Sequence, residues 1–188
     1  MLLELAANPN VHQHVGAGRR LHRDPAGRFA IYLQRGLSVH SATVQRVRLS
    51  GDDVERAVEE IRALLRSEGR AGAEWELGAG TTPVDLVARL APLGITPDED
   101  EPVAHGMVLT GAPSMSIPDG VEARPVASVD ELREARALQA EGFGFPRPSP
   151  SEDDLAADFE REGADGSTFI ALVDGEPVGA AYAAYTPH

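Results

Sequence analysis

Apolar side chains recur every three or four residues between positions 54 and 65, which predicts a helix over residues 52–68 with one apolar face. Ser50 and Asp53 have the spacing of a capping box, and a glycine at position 69 suits a left-handed helix end. A helix with one apolar face must bury that face against another element. The strands predicted on either side of it therefore indicate a layered α/β structure.

Strands and helices alternate along the rest of the chain. The predicted strands are residues 29–34, 42–49, 73–77, 105–110, 121–126, 168–173 and 178–185, the last two joined by an Asp-Gly turn. Further helices are predicted to begin with caps at Thr82, Ser128 and Ser151. The helix after Thr82 is expected to bury a stripe of Val84, Val87, Leu90 and Ala91. This order predicts an α/β fold with mixed β-sheets flanked by helices.

Residues 111–120 contain two prolines between two glycines and are the predicted linker between two domains, residues 1–110 and 121–188. Charge divides at the same place. Residues 1–110 carry 12 arginines against 15 acidic residues, whereas residues 111–188 carry 5 against 15. We therefore expect a bipartite chain with a strongly acidic second part.

Composition excludes several classes of function. The 17 basic residues are all arginine and there is no cysteine, which excludes lysine nucleophiles, disulfides and thiolate catalysis. The net charge of −13 argues against general binding to nucleic acid or to anionic membranes. No apolar run is long enough to span a bilayer, and the first residues lack the features of a signal peptide. A cytoplasmic location is the expectation.

The first 50 residues are locally basic, with seven arginines against two acidic residues. His12 and His14, with His22 and Asp24 nearby, have donor types that suit a metal, but exposed polar residues near a loose terminus explain them as well. No metal site is predicted. The arginines could contact RNA or an anionic substrate, or they could form a solvated surface that pairs with the acidic second part.

The strand Val121–Val126, the helix from Ser128 to Glu141 and the segment Phe169–Gly179 together resemble the opening of the GNAT superfamily of N-acetyltransferases. In that family the last segment is the strand–turn–strand that precedes the acetyl-CoA site. Residues 29–110 are similar to the later half of the same fold. The arrangement resembles tandem-repeat members, which place a degenerate repeat ahead of a working one.

The resemblance implies acyl transfer from acetyl-CoA to the amine of a small molecule or peptide. It places Glu141, Phe143 and Phe145 beside the acceptor amine, although both rings could instead cover the core beneath the helices. The resemblance gives Tyr185 a place from which it could act as an acid toward a thiolate leaving group. Glu141 and Tyr185 are thus the catalytic candidates, and Phe143 and Phe145 the substrate-binding candidates.

One element of the family pattern is missing. The family holds the cofactor pyrophosphate with an Arg/Gln-x-x-Gly-x-Gly/Ala loop at a helix start, where backbone N–H groups meet the phosphates. The second repeat has no such loop, and Arg48–Asp53 of the first offers one glycine followed by two aspartates. We expect a chain that is truncated before its cofactor loop and inactive alone. The alternative is a non-catalytic ligand-sensing or protein-interaction module, with an open sheet edge that allows a homodimer.

Overall fold

The structure is a computed structural model that describes residues 2–12, 15, 18–36, 38–99, 110–111, 114, 116–144, 150–164 and 166–185. The chain divides into two units, Met1–Thr110 and Gly111–His188. The predicted strand at residues 105–110 lies outside the described residues except for Thr110, which is not in a strand. No helix in the described ranges is long and apolar enough to cross a bilayer.

The first unit is a four-stranded sheet with helices. Its elements are α1 (Leu2–Ala7), α2 (Pro9–His12), β1 (Arg20–Arg23), β2 (Ala30–Leu33), β3 (Ala42–Gln45), α3 (Val54–Ser67), β4 (Glu74–Trp75) and α4 (Leu86–Leu90). The strand order is β1-β2-β3-β4. The first two pairings are antiparallel, and β3 pairs with β4 in parallel.

Helix α3 supplies much of the core of this unit. Its apolar stripe is buried as predicted and packs with side chains from β2 and β3, including Ile31 and Val44. Gly69 has the predicted left-handed conformation, with φ of 69°. The predicted capping box does not form. The Ser50 hydroxyl donates to the Asp53 carboxylate at 2.9 Å, and neither side chain caps a backbone N–H group of the helix.

Two predicted boundaries in the first unit are wrong because backbone contacts override local preference. The strand predicted over residues 42–49 ends at Gln45, since Arg46 has a left-handed φ of 53° that breaks the pleat. Thr82 does not cap a helix. Its N–H donates to the Val47 carbonyl at 3.1 Å and its carbonyl accepts from the Leu49 N–H at 3.0 Å, so α4 starts later.

The later start of α4 changes which side chains it buries. Leu86 and Leu90 are buried, whereas Val84 is fully exposed and Val87 is about half exposed. Of the two buried leucines, only Leu90 belongs to the predicted stripe. Elements α1, α2 and β1 were not predicted at all, because the terminal segment was interpreted as loose.

The second unit is a three-stranded antiparallel sheet with two helices. Its elements are β5 (Val121–Pro125), α5 (Val129–Gly142), α6 (Glu152–Phe159), β6 (Gly166–Val173) and β7 (Glu176–Ala184). The strand order is β5-β6-β7, which leaves β7 at an edge of the described sheet. Leu132 of α5 and Leu155 of α6 pack with Ile170 of β6 in the core.

Local signals in the second unit predicted its element ends well. The Ser128 hydroxyl accepts from the Glu131 N–H at 3.2 Å, and the Ser151 hydroxyl accepts from the Asp154 N–H at 3.1 Å. Asp174 and Gly175 both have positive φ, at 51° and 85°, as the predicted two-residue hairpin turn requires. The predicted caps and turn of this unit are confirmed.

Candidate functional site

The segment Arg48–Asp53 occupies the place in the first unit where the resemblance implies a pyrophosphate loop. Residues Gly51–Asp53 form a single 3₁₀ turn ahead of α3. The Asp53 N–H is already bonded to the Ser50 carbonyl at 3.1 Å, and the Asp53 carboxylate pairs with Arg56. Asp52 is exposed beside it. Two carboxylates at this turn repel phosphate, so these residues do not fit the pyrophosphate of acetyl-CoA.

The Arg89 guanidinium lies beside this turn without converting it into an anion site. A Cβ built on Gly51 would lie 3.5 Å from Arg89 Nη2, so the side chain covers the only glycine of the turn. Arg89 is bound to the Asp85 carboxylate at 2.9 Å. The hydrogen bond between them lowers the pKa of Asp85 and raises the pKa of Arg89. The positive charge of Arg89 is therefore largely neutralised by the Asp85 carboxylate.

The predicted acceptor-side residues lie at the end of α5. Glu141 is exposed in the last turn of the helix, and within the described part of the chain its carboxylate forms no hydrogen bond or ion pair. Phe143 follows the helix and is 72% exposed, so its ring does not belong to the core. Phe145 lies outside the described residues. The core interpretation is therefore wrong for Phe143.

Tyr185 follows the end of β7, and its hydroxyl is fixed by a hydrogen bond of 2.7 Å to the Ser167 hydroxyl. The Tyr182 hydroxyl meets the neighbouring residue of β6: a Cβ on Gly166 would lie only 2.3 Å from it. Neighbouring residues of a strand face opposite sides of the sheet. The two tyrosines therefore reach opposite faces of the sheet, and Glu141 lies on a different element from Tyr185.

A strong ion pair, which sequence reasoning missed, connects β5 to α5. The Arg124 guanidinium binds the Glu131 carboxylate at 2.7 and 2.8 Å, and the Ala127 N–H donates to the same carboxylate at 2.7 Å. These hydrogen bonds, that from Arg124 above all, lower the pKa of Glu131 to about 2. Glu131 thus stays charged and positions the start of α5, and it is not available as a base.

The first unit contains a cleft of about 550 Å³, here named the arginine cleft. Its lining side chains are Glu4, Val11, His12, Arg23, Arg46 and Arg48. Glu4 accepts from Arg46 Nε at 3.0 Å and from Arg48 Nη2 at 2.6 Å. The local excess of arginine in residues 1–50 is the only sequence signal for this cleft, and it does not indicate which arginines meet.

The described histidines of the first unit do not form a metal site with Asp24. His22 stacks on Phe29 with ring centroids 6.2 Å apart, and both carboxylate oxygens of Asp24 are bound by Arg28. His14 lies outside the described residues. Among the described residues, no three histidine, aspartate or glutamate side chains come close enough together to hold a metal ion.

Comparison with solved structures matches the chain to one described as "GCN5-related N-acetyltransferase from Kribbella flavida". The TM-score is 0.54 at 22% sequence identity, and the match covers 90% of this chain and 62% of that one. No protein-family model matches the sequence, and no curated protein matches it. A likeness at this identity concerns the fold alone. The predicted fold class is confirmed: the chain has a GNAT-like mixed α/β fold with two sheets flanked by helices.

Proposed function

We propose that this chain is part of an N-acetyltransferase that transfers an acyl group from acetyl-CoA to the amine of a small molecule or peptide. The supporting observation is the GNAT-like fold, matched over 90% of the chain. The second unit agrees with it, because β5, α5, α6, β6 and β7 follow one another in the order expected of the opening of that fold. In this proposal the first unit is a degenerate repeat and the second is the N-terminal half of a working one.

The same proposal holds that the chain alone neither binds acetyl-CoA tightly nor turns it over. The chain spans 62% of the length of its structural neighbour. Its turn at Gly51–Asp53 presents carboxylates where a pyrophosphate needs backbone N–H groups. We propose that the cofactor loop belongs to a longer protein with a tandem arrangement. No catalytic step is assigned to the cofactor in this chain.

Within that longer protein the exposed end of α5 is the proposed acceptor side. The Phe143 ring is an apolar surface at the end of the helix, with Glu141 two residues before it. An exposed carboxylate near an apolar surface can attract an ammonium group and take up its proton. Phe145 is assigned to the same acceptor side. Tyr185 is the candidate proton donor, because Ser167 holds its hydroxyl in place.

Calorimetry and activity assays test the two parts of this proposal separately. The 188-residue chain is expected to show no micromolar binding of acetyl-CoA, and micromolar binding would contradict the truncation.

The full reading frame that contains this chain is expected to acetylate amines. There, Glu141→Gln should lower kcat/KM by about a hundredfold if Glu141 acts as general base. Glu134→Gln, an exposed change on the same helix, should leave kcat/KM unchanged. Absence of acetyl transfer by the full protein would contradict the function itself.

A second candidate function is a non-catalytic ligand-sensing or protein-interaction module on the same fold. The acidic turn before α3 favours it, since that turn does not suit the cofactor. The nine-residue strand β7 lies at an edge of the described sheet, where a second copy could add a strand. Sedimentation equilibrium distinguishes the two candidates: a symmetric dimer lost on Val178→Lys would favour the module, and a monomer would favour the truncated enzyme.

A further inference from the structure

The arginine cleft is a built feature of the first unit, and its properties do not depend on the role of the second unit. Arg23 Nη2 donates to the Val11 carbonyl at 2.7 Å, which ties the end of β1 to α2. The backbone N–H of Arg46 donates to the buried Asn8 side chain at 2.7 Å, which ties the end of β3 to the same helices. Segments far apart in the sequence are therefore held around one cavity.

The lining carries more positive than negative charge. Three guanidiniums line the cleft with a single carboxylate, that of Glu4, which pairs with both Arg46 and Arg48. The lining thus has an excess of two positive charges before His12 is counted. In a chain of net charge −13 such a local excess is against the overall trend. Guanidinium groups suit phosphate and carboxylate because their N–H groups match two oxygens at once.

A buried polar atom in the same lining lacks a partner. His12 Nε2 is out of contact with solvent and has no hydrogen-bond partner within the described residues. Buried polar groups are almost always hydrogen-bonded, and the exceptions call for an explanation such as an absent ligand or water. Because solvent does not reach His12 Nε2, a ligand in the cleft would meet this atom only after the imidazole turns, and the missing partner is not by itself evidence for a ligand. The His12 ring nevertheless lines the cleft and can report on what binds there.

The size of the arginine cleft bears on the class of ligand that it can hold. The cleft is open to solvent, and its volume of about 550 Å³ leaves room for a molecule larger than an inorganic ion. We propose that the arginine cleft binds a small organic anion through a doubly charged oxyanion group, either a phosphate monoester or a pair of carboxylates. Arg23, Arg46 and Arg48 would contact the oxyanion, beside the imidazole ring of His12.

Titration of the full 188-residue chain by nuclear magnetic resonance tests this proposal. Inorganic phosphate and malonate are the probes in separate arms at constant ionic strength, with acetate as the monoanion control. Long-range ¹H–¹⁵N spectra follow the imidazole nitrogens, and His12→Gln identifies the His12 signal. We expect a saturable shift of that signal with at least one dianion. The arm that saturates at the lower concentration identifies the oxyanion class.

Three variants distinguish a site from general electrostatics. Arg23→Gln should weaken binding about tenfold or more, the usual effect of losing a charged hydrogen bond. Arg20→Gln removes an equal charge three residues away on β1, where Arg20 pairs with Glu68 outside the cleft, and should leave binding unchanged. Glu4→Gln keeps the shape but removes the competing carboxylate, so it should tighten binding several-fold.

Several results would overturn the proposal. One is the absence of a saturable His12 shift with either dianion; another is equal weakening by Arg20→Gln and Arg23→Gln. If Arg23→Gln fails to fold, the affinity of Glu4→Gln for the dianions still tests the proposal, because a site for anions must gain affinity when the Glu4 carboxylate is neutralised. Unchanged or weaker binding in Glu4→Gln would therefore contradict the assignment.

Discussion

Asp24 is a buried carboxylate of the first unit that is bound by Arg28. It is 7% exposed and accepts from Arg28 Nε at 3.1 Å, from Arg28 Nη2 at 2.7 Å and from the Arg28 backbone N–H at 3.0 Å. The hydrogen bonds from Arg28 lower the pKa of Asp24 to about 2, although burial acts in the opposite direction. In the sequence, Asp24 lies near three histidines and has a donor type that suits a metal. In the structure, Asp24 instead fixes the turn between β1 and β2.

Asp24→Asn is expected to lower the free energy of unfolding of the first unit by about 2 kcal/mol at pH 7, because it removes a buried charged hydrogen bond. Denaturant unfolding followed by the fluorescence of Trp75, the single tryptophan of the chain, measures this. A carboxylate with a lowered folded-state pKa stabilises the fold above its unfolded pKa of about 4. The difference between the two proteins should therefore shrink as the pH falls from about 4 toward 2.

Glu55→Gln provides the matched control for this change. Glu55 is exposed in the first turn of α3, and its substitution should alter stability by less than about 0.5 kcal/mol. A loss in Asp24→Asn that is as large at pH 3 as at pH 7 would contradict the electrostatic explanation. It would assign the effect to packing of the turn.

Elements defined by neighbouring residues could be predicted from the sequence, and those defined by distant contacts could not. The apolar stripe predicts α3, the Ser128 and Ser151 caps predict α5 and α6, and Asp174-Gly175 predicts the β6–β7 turn. The start of α4 depends instead on the bonds of Thr82 to Val47 and Leu49, more than 30 residues away.

Elements α1, α2 and β1 also depend on distant partners. Glu4 of α1 binds arginines that follow β3, and Arg23 at the end of β1 binds the Val11 carbonyl of α2. Helices of six and four residues have too little local stability to leave a clear periodic pattern. Periodicity was therefore uninformative here, and only the long-range contacts give these residues their structure.

Ser128→Ala is expected to lower the stability of α5 by about 1 kcal/mol, because the Glu131 N–H loses its side-chain acceptor. Hydrogen exchange of the first-turn amides of α5 measures the change directly: their protection should fall by about fivefold, which corresponds to that free energy. Helix α6, capped by Ser151, should keep its protection.

Ser116→Ala serves as the control for the cap, since Ser116 is exposed in the segment ahead of β5. It should leave the protection of α5 unchanged. Equal exchange rates in wild type and Ser128→Ala would contradict the capping role. They would indicate that Glu131, held by Arg124 and the Ala127 N–H, fixes the helix start alone.

At the scale of the whole molecule, fold class could be predicted because it follows from the order of elements, whereas the site could be predicted only in part. Glu141 and Phe143 are next to each other in sequence, so their shared position at the end of α5 was accessible. The arginine cleft joins residues 4, 12, 23, 46 and 48 through the turn after α1 and the left-handed Arg46. No local sequence pattern predicts that these residues lie together around one cleft.

The overall charge predicts that the chain does not bind nucleic acid despite its arginine-rich beginning. The excess positive charge of the arginine cleft is small beside the net charge of −13, and phosphate backbones require several unopposed cations to release counterions. Gel shift with duplex DNA and single-stranded RNA at low salt should show no complex at micromolar protein, with a basic DNA-binding protein as the positive control. A complex that disappears as salt is raised would contradict this expectation. It would mean that the seven arginines of residues 1–50 act together as a basic surface, and that Glu4 and Asp24 do not neutralise it.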